Sequence, residues 1–311
     1  MPDSFFQQKH RQEMHRNEQQ IPLSAMYTAA TWQWAKLPCA DLVMPEGAED
    51  VFSIINLYMR FYRWINPQMD ALEQMLLRRH SAINHLLQGD AYKQIVEIAA
   101  GFSPRGSWLS ENPAVRYIEI DLPPVIAKKR AMLSRYYRGQ LVLGRANFQL
   151  RAGDITRLDL SDLPPEPTAV VTEGIMMYFD RDQQIQIWSS IARTLVSRGG
   201  ELLFDYIPPA LNRPRSKLGN ILHALKVRLF GDRTPYRYDQ RTVEQLMDDL
   251  RLAGFHTVAV HDGDAVAKSW RLPYGDEPAK VLIFQARVAV RNPVYAFFDS
   301  KNRISKTDGH A

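Results

Sequence analysis

The chain has 311 residues, 45% of them hydrophobic and 23% charged, enough for one large domain or two small ones and too apolar for a disordered chain. Its formal charge of +5 comes from 39 basic and 34 acidic side chains spread among one another, without the single basic stripe of a nucleic-acid binder. No apolar run reaches the roughly 18 residues of a membrane span, Met1 to Gln20 lacks the apolar core of a secretory signal, and one cysteine, Cys39, excludes an internal disulfide and a multi-cysteine zinc site.

The expectation is a cytoplasmic protein with a sizeable core and no nucleic-acid partner. Residues 1–20 and 299–311 read as solvated tails, and residues 21–90 as a helical cap rich in aromatics, among them Trp32, Trp34, Phe61, Tyr62 and Trp64. In a helix expected from Pro67 to Leu87, Leu72, Leu76, Ile83 and Leu86 share one face at three- and four-residue steps. Arg79 falls into that ladder, whereas Arg78 is rotated away from it. An arginine on an apolar face needs an anion, because burying its charge unpaired is expensive. An internal carboxylate and a ligand carboxylate both meet that need.

Residues 91–298 alternate short apolar runs with helical patterns, the texture of a doubly wound α/β sheet. Gln94 to Ile98 predicts a first strand, followed by a small-residue turn from Ala99 to Gly106. Tyr117 to Ile120 predicts a second, ending at Asp121, and Pro123-Pro124 then opens a helix. Phe148 to Leu150 precedes Gly153-Asp154, and Ala169 to Thr172 precedes Glu173-Gly174. Asp180 and Gln183 have capping-box spacing before a stripe of Ile185, Trp188, Ile191, Ala192 and Leu195 that Gly199-Gly200 should end. Leu202 to Ile207 reads as a fifth strand. Thr242 and Gln245 cap a helix bearing Val243, Leu246, Met247 and Leu250, closed by Gly254, and Phe255 to Val260 and Val281 to Ala286 supply two last strands. Between them, residues 208–240 form a Pro/Arg-rich insertion in which Leu218, Ile221, Leu222, Leu225 and Leu229 predict a basic amphipathic helix. Lying after the fifth strand, it is expected to act as a lid over the ligand side, with a membrane-surface helix as the alternative.

Ligands of such sheets bind beyond the carboxyl ends of the strands. The turn at Ala99, Ala100 and Gly101 lets a ligand approach the backbone, although many strand-to-helix turns need glycine for structure alone and Ala99 stands where a G-x-G-x-x-G pattern begins. Asp121, 20 residues past Gly101, suits ribose hydroxyls or, alternatively, a helix N-cap. Asp154 and Glu173 are further acids at predicted strand ends, each of which also fits a solvated loop or a cap. His256 and His261 lack zinc spacing, and Cys39 beside Pro38 reads as a packed small residue.

The segments Gln94 to Gly106, Glu119-Ile120-Asp121-Leu122-Pro123-Pro124 and Thr172 to Tyr178 resemble the signature blocks of the leucine carboxyl methyltransferase family, in particular its tetracenomycin-type polyketide O-methyltransferase branch. The likeness runs from about Tyr27 to Ala286 and implies a class I enzyme using S-adenosyl-L-methionine. By that resemblance Arg79 would hold the methionine carboxylate, and Ala99 and Gly101 would line the methionine and ribose portion. Asp121 would accept from the ribose hydroxyls, Asp154 from the adenine amino group beside Ile155, and Glu173 would lie near the methionine ammonium. The family usually has glycine at the position of Ala99. The implied activity is O-methylation of a small-molecule carboxylate or other acidic oxygen, since a carboxylate needs no general base and none stands out. Tyr178 and Tyr206 are candidates for the acceptor side, or ordinary half-buried tyrosines. A protein C-terminal carboxyl methyltransferase and a non-catalytic cofactor-binding protein are the alternatives.

Overall fold

The computed structural model describes residues 22–65, 71–88, 91–208, 239–270 and 280–289. The two expected tails, the start of the helix expected from Pro67, and positions 209–238 with the amphipathic helix and lid lie outside them. Among these residues seven strands form one sheet: β1 (Gln94–Ile98), β2 (Arg116–Asp121), β3 (Phe148–Ala152), β4 (Thr168–Thr172), β5 (Gly200–Tyr206), β6 (Thr257–Asp262) and β7 (Leu282–Arg287). Their order is β3-β2-β1-β4-β5-β7-β6, parallel from β3 to β5, with β7 antiparallel to both β5 and β6. The chain steps outward from β1 to β3 and then restarts at β4 on the other side of β1. That reversal opens a crevice at the carboxyl ends of β1 and β4.

The helices are α1 (Leu23–Trp34), α2 (Ala48–Ile65), α3 (Leu72–Leu87), α4 (Arg105–Leu109), α5 (Pro123–Ser134), α6 (Tyr137–Leu143), α7 (Arg181–Val196), α8 (Val243–Leu252) and α9 (Gly263–Ser269). Both capping boxes form: the Gln183 N–H donates to Asp180 at 2.9 Å before α7, and the Gln245 N–H to Thr242 at 3.3 Å before α8. Gly200 does not end α7 but starts β5. A Cβ there would lie 1.9 Å from the Thr168 carbonyl, so only glycine lets β5 begin beside β4. The strand expected from Phe255 begins two residues later, because the Phe255 N–H still closes α8 by donating to Leu250 O at 3.1 Å.

Strand alternation divides the core. Val96, Ile118, Ile120, Val170, Leu202 and Phe204 face α7 and α8 in a mostly apolar layer around Trp188, joined by the buried Thr172 and Gln184. Ile95, Tyr117, Ala169, Val171, Leu203 and Ile283 face the other way, toward Ala82, Ile83 and Leu87 of α3. Each fully buried large apolar side chain contributes about 1.5–3 kcal/mol. The second face also carries Glu97, Glu119 and Asp205, all buried. Helix α3 packs against both α1 and α9, so it is buried around most of its circumference. Arg78, off the apolar ladder that holds Arg79, is buried all the same: it is only 3% exposed and reaches Asp264 of α9 at 3.3 Å.

Candidate functional site

The first half of the site is the turn after β1. Ala99 and Gly101 both have left-handed backbones, with φ of 56° and 52°. Glycine adopts that region without cost, whereas a Cβ costs about 1–2 kcal/mol. A Cβ built on Gly101 would meet no atom within 4 Å, so the backbone faces open space. At the end of β2, Asp121 accepts from the Gly101 N–H at 2.6 Å and the Leu122 N–H at 2.7 Å. It therefore ties the two strand ends together and is not a side-chain cap of α5, whose N-cap is Leu122. Burial raises its carboxyl above the ordinary value against the pull of those two N–H groups. A carboxylate has about four acceptor positions, so capacity for hydroxyl donors remains. Asp154, after β3, is exposed and accepts from the Thr156 N–H and hydroxyl, both at 2.8 Å. Ile155 beside it is half-buried against the core.

The second half lies at the ends of β4 and β5. Arg79, 7% exposed, donates from Nε to Glu173 Oε1 at 3.0 Å and from Nη1 to Asp205 Oδ2 at 3.2 Å. The internal ion pair left open by the sequence is thus present. The Gly174 N–H donates to the other Asp205 oxygen at 2.6 Å. Gly174 has φ of 71°, and a Cβ on it would sit 2.6 Å from Arg79 Nη2, so glycine is needed where the chain leaves β4.

Behind Glu173 stands Arg105, which donates to Glu173 Oε2 at 2.6 Å, to Asn84 Oδ1 at 2.5 Å and to Glu97. Tyr117 donates to the second Glu97 oxygen at 2.7 Å. His80 Nδ1 faces Arg105 Nη2 at 2.8 Å and Glu173 Oε2 at 3.1 Å. A guanidinium can only donate and a carboxylate only accept, so the tautomer of His80 decides which of the two its Nδ1 bonds. Burial and then Arg105 push its pKa down against the pull of Glu173, and the lowered value favours a neutral imidazole. Burial alone would raise Glu173, but His80, Arg105 and Arg79 outweigh it and hold the carboxyl well below its usual range. Since a neutral His80 offers a dipole and not a charge, the two guanidiniums carry most of that effect. Asp205 is raised by burial despite Arg79.

Arg79 and Glu173 are therefore brought together, and Ala99, Gly101 and Asp121 meet around the β1 turn. Asp154 and Ile155 stand after β3, at the outer strand of that half. Sequence reasoning missed His80, Glu97, Arg105 and Asp205. The available signal was the charge of Glu97 and Asp205 near the ends of otherwise apolar strands, which demands buried cations nearby. Tyr178 is half-buried in a short turn after β4. Tyr206 is buried, donates to Arg241 O at 2.5 Å, and is pushed up to about 12 by burial and Asp239. With Met176, Met177, Trp188 and Asp205 it lines a cleft at the end of β5.

Residues 61–192 match the family model described as leucine carboxyl methyltransferase. That segment contains Arg79, Gly101, Asp121, Asp154 and Glu173. A candidate S-adenosyl-L-methionine-dependent methyltransferase of Parafrankia sp. (strain EAN1pec) is 28% identical over 119 residues, covering 36% of this chain and 37% of that protein. The match thus spans little more than a third of that curated relative. Among solved structures, a candidate O-methyltransferase of Nostoc punctiforme PCC 73102 is similar over 68% of this chain and 57% of its own, with 16% identity and a TM-score of 0.45. The magnesium protoporphyrin IX methyltransferase of Synechocystis PCC 6803, solved with bound SAH, is similar over 76% of this chain and 99% of its own, at 13% identity and TM-score 0.43.

Proposed function

We propose that this chain, whose residues 61–192 carry the leucine carboxyl methyltransferase pattern, is an S-adenosyl-L-methionine-dependent O-methyltransferase acting on a carboxylate or other acidic oxygen of a small molecule, such as a polyketide-type metabolite. The observation that carries this reading is the pairing, across the β1/β4 crevice, of an open glycine turn held by Asp121 with a buried Arg79–Glu173–Asp205 cluster. One half suits a ribose and the other an amino acid.

The residues present fit the cofactor. Its methionine end is a zwitterion, and the cluster already holds a cation against two carboxylates. A ligand carboxylate can replace Glu173 or Asp205 on Arg79 while the ligand ammonium takes the carboxylate set free. Opposite charges stay paired throughout, so the exchange avoids the large cost of a lone buried charge. Asp121 would accept from ribose hydroxyls, and Asp154 with Ile155 would meet the adenine. Bound there, S-adenosyl-L-methionine supplies an electrophilic methyl group on a sulfonium.

What this chain must then do is orient an acceptor and exclude water. The Tyr206 hydroxyl, bonded to a carbonyl and pushed up to about 12, is no base near neutrality. His80 is buried behind Glu173. Neither offers the deprotonation that a phenol, with a pKa near 10, would need. A carboxylate is already ionised at neutral pH, which favours a carboxyl acceptor.

The test is transfer from methyl-labelled cofactor to panels of carboxylic acids, phenols and peptides ending in a free carboxyl group. Carboxyl methyl esters release volatile labelled methanol in mild base, and aryl methyl ethers do not. Base-labile label on small acids is the expected result. Label only on phenols or peptides would replace the acceptor class, and no transfer to any panel with cofactor bound would remove the activity.

A further inference from the structure

We infer that Arg105 is a positioning residue that fixes Glu173 for the amino-acid end of the ligand, an inference resting on the function proposed above. The Arg105 side chain is 0% exposed, so it acts through Glu173 and not on the ligand. Its guanidinium is held on three sides: Asn84 takes Nε at 2.5 Å, Glu97 takes Nη1, and Glu173 Oε2 takes Nη2 at 2.6 Å. Glu97 is itself fixed, because Tyr117 donates to its other oxygen at 2.7 Å. The chain Tyr117–Glu97–Arg105–Glu173 therefore runs from the interior of β2 through β1 and α4 to the end of β4.

The two oxygens of Glu173 are divided between two guanidiniums. Oε2 belongs to Arg105 and Oε1 to Arg79, the latter at 3.0 Å. When Arg79 turns to a ligand carboxylate, Glu173 loses one of its two cations. A buried carboxylate left with no cation takes up a proton. It would then cease to be an anionic partner for the ligand ammonium. Arg105 prevents this: anchored from behind, it keeps Glu173 ionised and keeps Oε1 aimed into the site. His80 Nδ1 stands 2.8 Å from Arg105 Nη2 and 3.1 Å from Glu173 Oε2, and as a neutral ring it fills the space beside Oε2 without adding a competing charge.

The role predicts selectivity within one ligand. S-adenosylhomocysteine carries the amino-acid end, and 5′-methylthioadenosine keeps the nucleoside but lacks it. Calorimetric titration of the full chain with both probes separates the two ends. Arg105→Met is expected to weaken S-adenosylhomocysteine about 30-fold or more, the scale of losing a charged hydrogen bond, with 5′-methylthioadenosine changed by no more than about threefold. The loss should deepen as pH falls from about 8 to about 6, where a less firmly ionised Glu173 gains its proton. Arg105→Lys should restore part of the affinity. If Arg105→Met fails to fold, Glu97→Gln keeps the shape and loosens only the anchor, and it must show the same selective, pH-dependent loss. Equal weakening of both probes, or a loss independent of pH, would overturn the assignment of Arg105 while leaving the proposed function intact. A wild-type chain that binds neither probe would overturn both.

Discussion

The two halves of the crevice handle charge in different ways. At β1 and β2, a half-buried Asp121 rests on two backbone N–H groups, and the turn beside it opens onto empty space. At β4 and β5, Arg79, Glu173 and Asp205 are packed side chain to side chain, with Arg105 behind them. The first half can accept hydroxyl donors without rearranging. The second must exchange one ion pair for another when a zwitterion enters. Binding at the first half should therefore be separable from folding, while at the second the two are linked.

The largest test of that contrast is Arg79→Ala. It leaves Glu173 and Asp205 short of a buried cation and should cost about 3–5 kcal/mol of stability in urea unfolding, along with cofactor binding. A cost below about 1 kcal/mol would mean that the cluster is not a buried ion pair in solution. The second test is pH, where the halves have opposite signs. Glu173 is held below its ordinary value in the fold, so its contribution is complete above the usual carboxylate range and is lost as pH falls through the folded value. Glu173→Gln should flatten the acid limb of stability.

Glu119, on β2 behind Asp121, is pushed up to about 7 by burial despite its pairing with Lys129. Its native state holds a proton the unfolded chain has released, so its contribution is complete below the usual carboxylate range and is lost as pH rises through about 7. Wild type should therefore lose stability relative to Glu119→Gln as pH rises from about 4 to about 8. A parallel pH dependence of the two proteins would refute that assignment.

A smaller effect is expected from Asp121→Asn, which keeps an acceptor on the Gly101 N–H but removes the charge. Calorimetry should show S-adenosylhomocysteine binding weakened by about 1–2 kcal/mol, with unfolding nearly unchanged. Smallest is Ala99→Gly. Relief of the left-handed backbone, partly offset by unfolded-state entropy, should raise stability by about 0.5–1 kcal/mol. No gain would show that neighbouring contacts already compensate the strain.

The same division governs how much of the molecule could be read from sequence. The seven strands, both capping boxes and the Gly101–Asp121 spacing follow from local patterns: alternation, cap chemistry and a fixed chain distance. The antiparallel β7 between β5 and β6 did not, because strand order depends on crossovers that no local pattern records. Arg79 stood out because it interrupts an apolar ladder. Its partner Asp205 did not, because the two lie 126 positions apart in the chain. Arg105 was hidden in a turn where any polar residue is unremarkable, and its burial emerges only once α3, β1 and β4 are assembled around it. That Arg78, off the apolar ladder, is also buried was not legible, because helical periodicity shows one apolar face while α3 is enclosed from two sides by α1 and α9.

The exchange of partners at Arg79 is the central claim, and a crystal structure of the complex with S-adenosylhomocysteine tests it most directly. The account predicts the ligand carboxylate within about 3 Å of the Arg79 guanidinium in place of Glu173 or Asp205, and the ammonium within hydrogen-bonding distance of the carboxylate released. A bound ligand whose amino-acid end lies elsewhere, with Arg79 still paired to both Glu173 and Asp205, would contradict it.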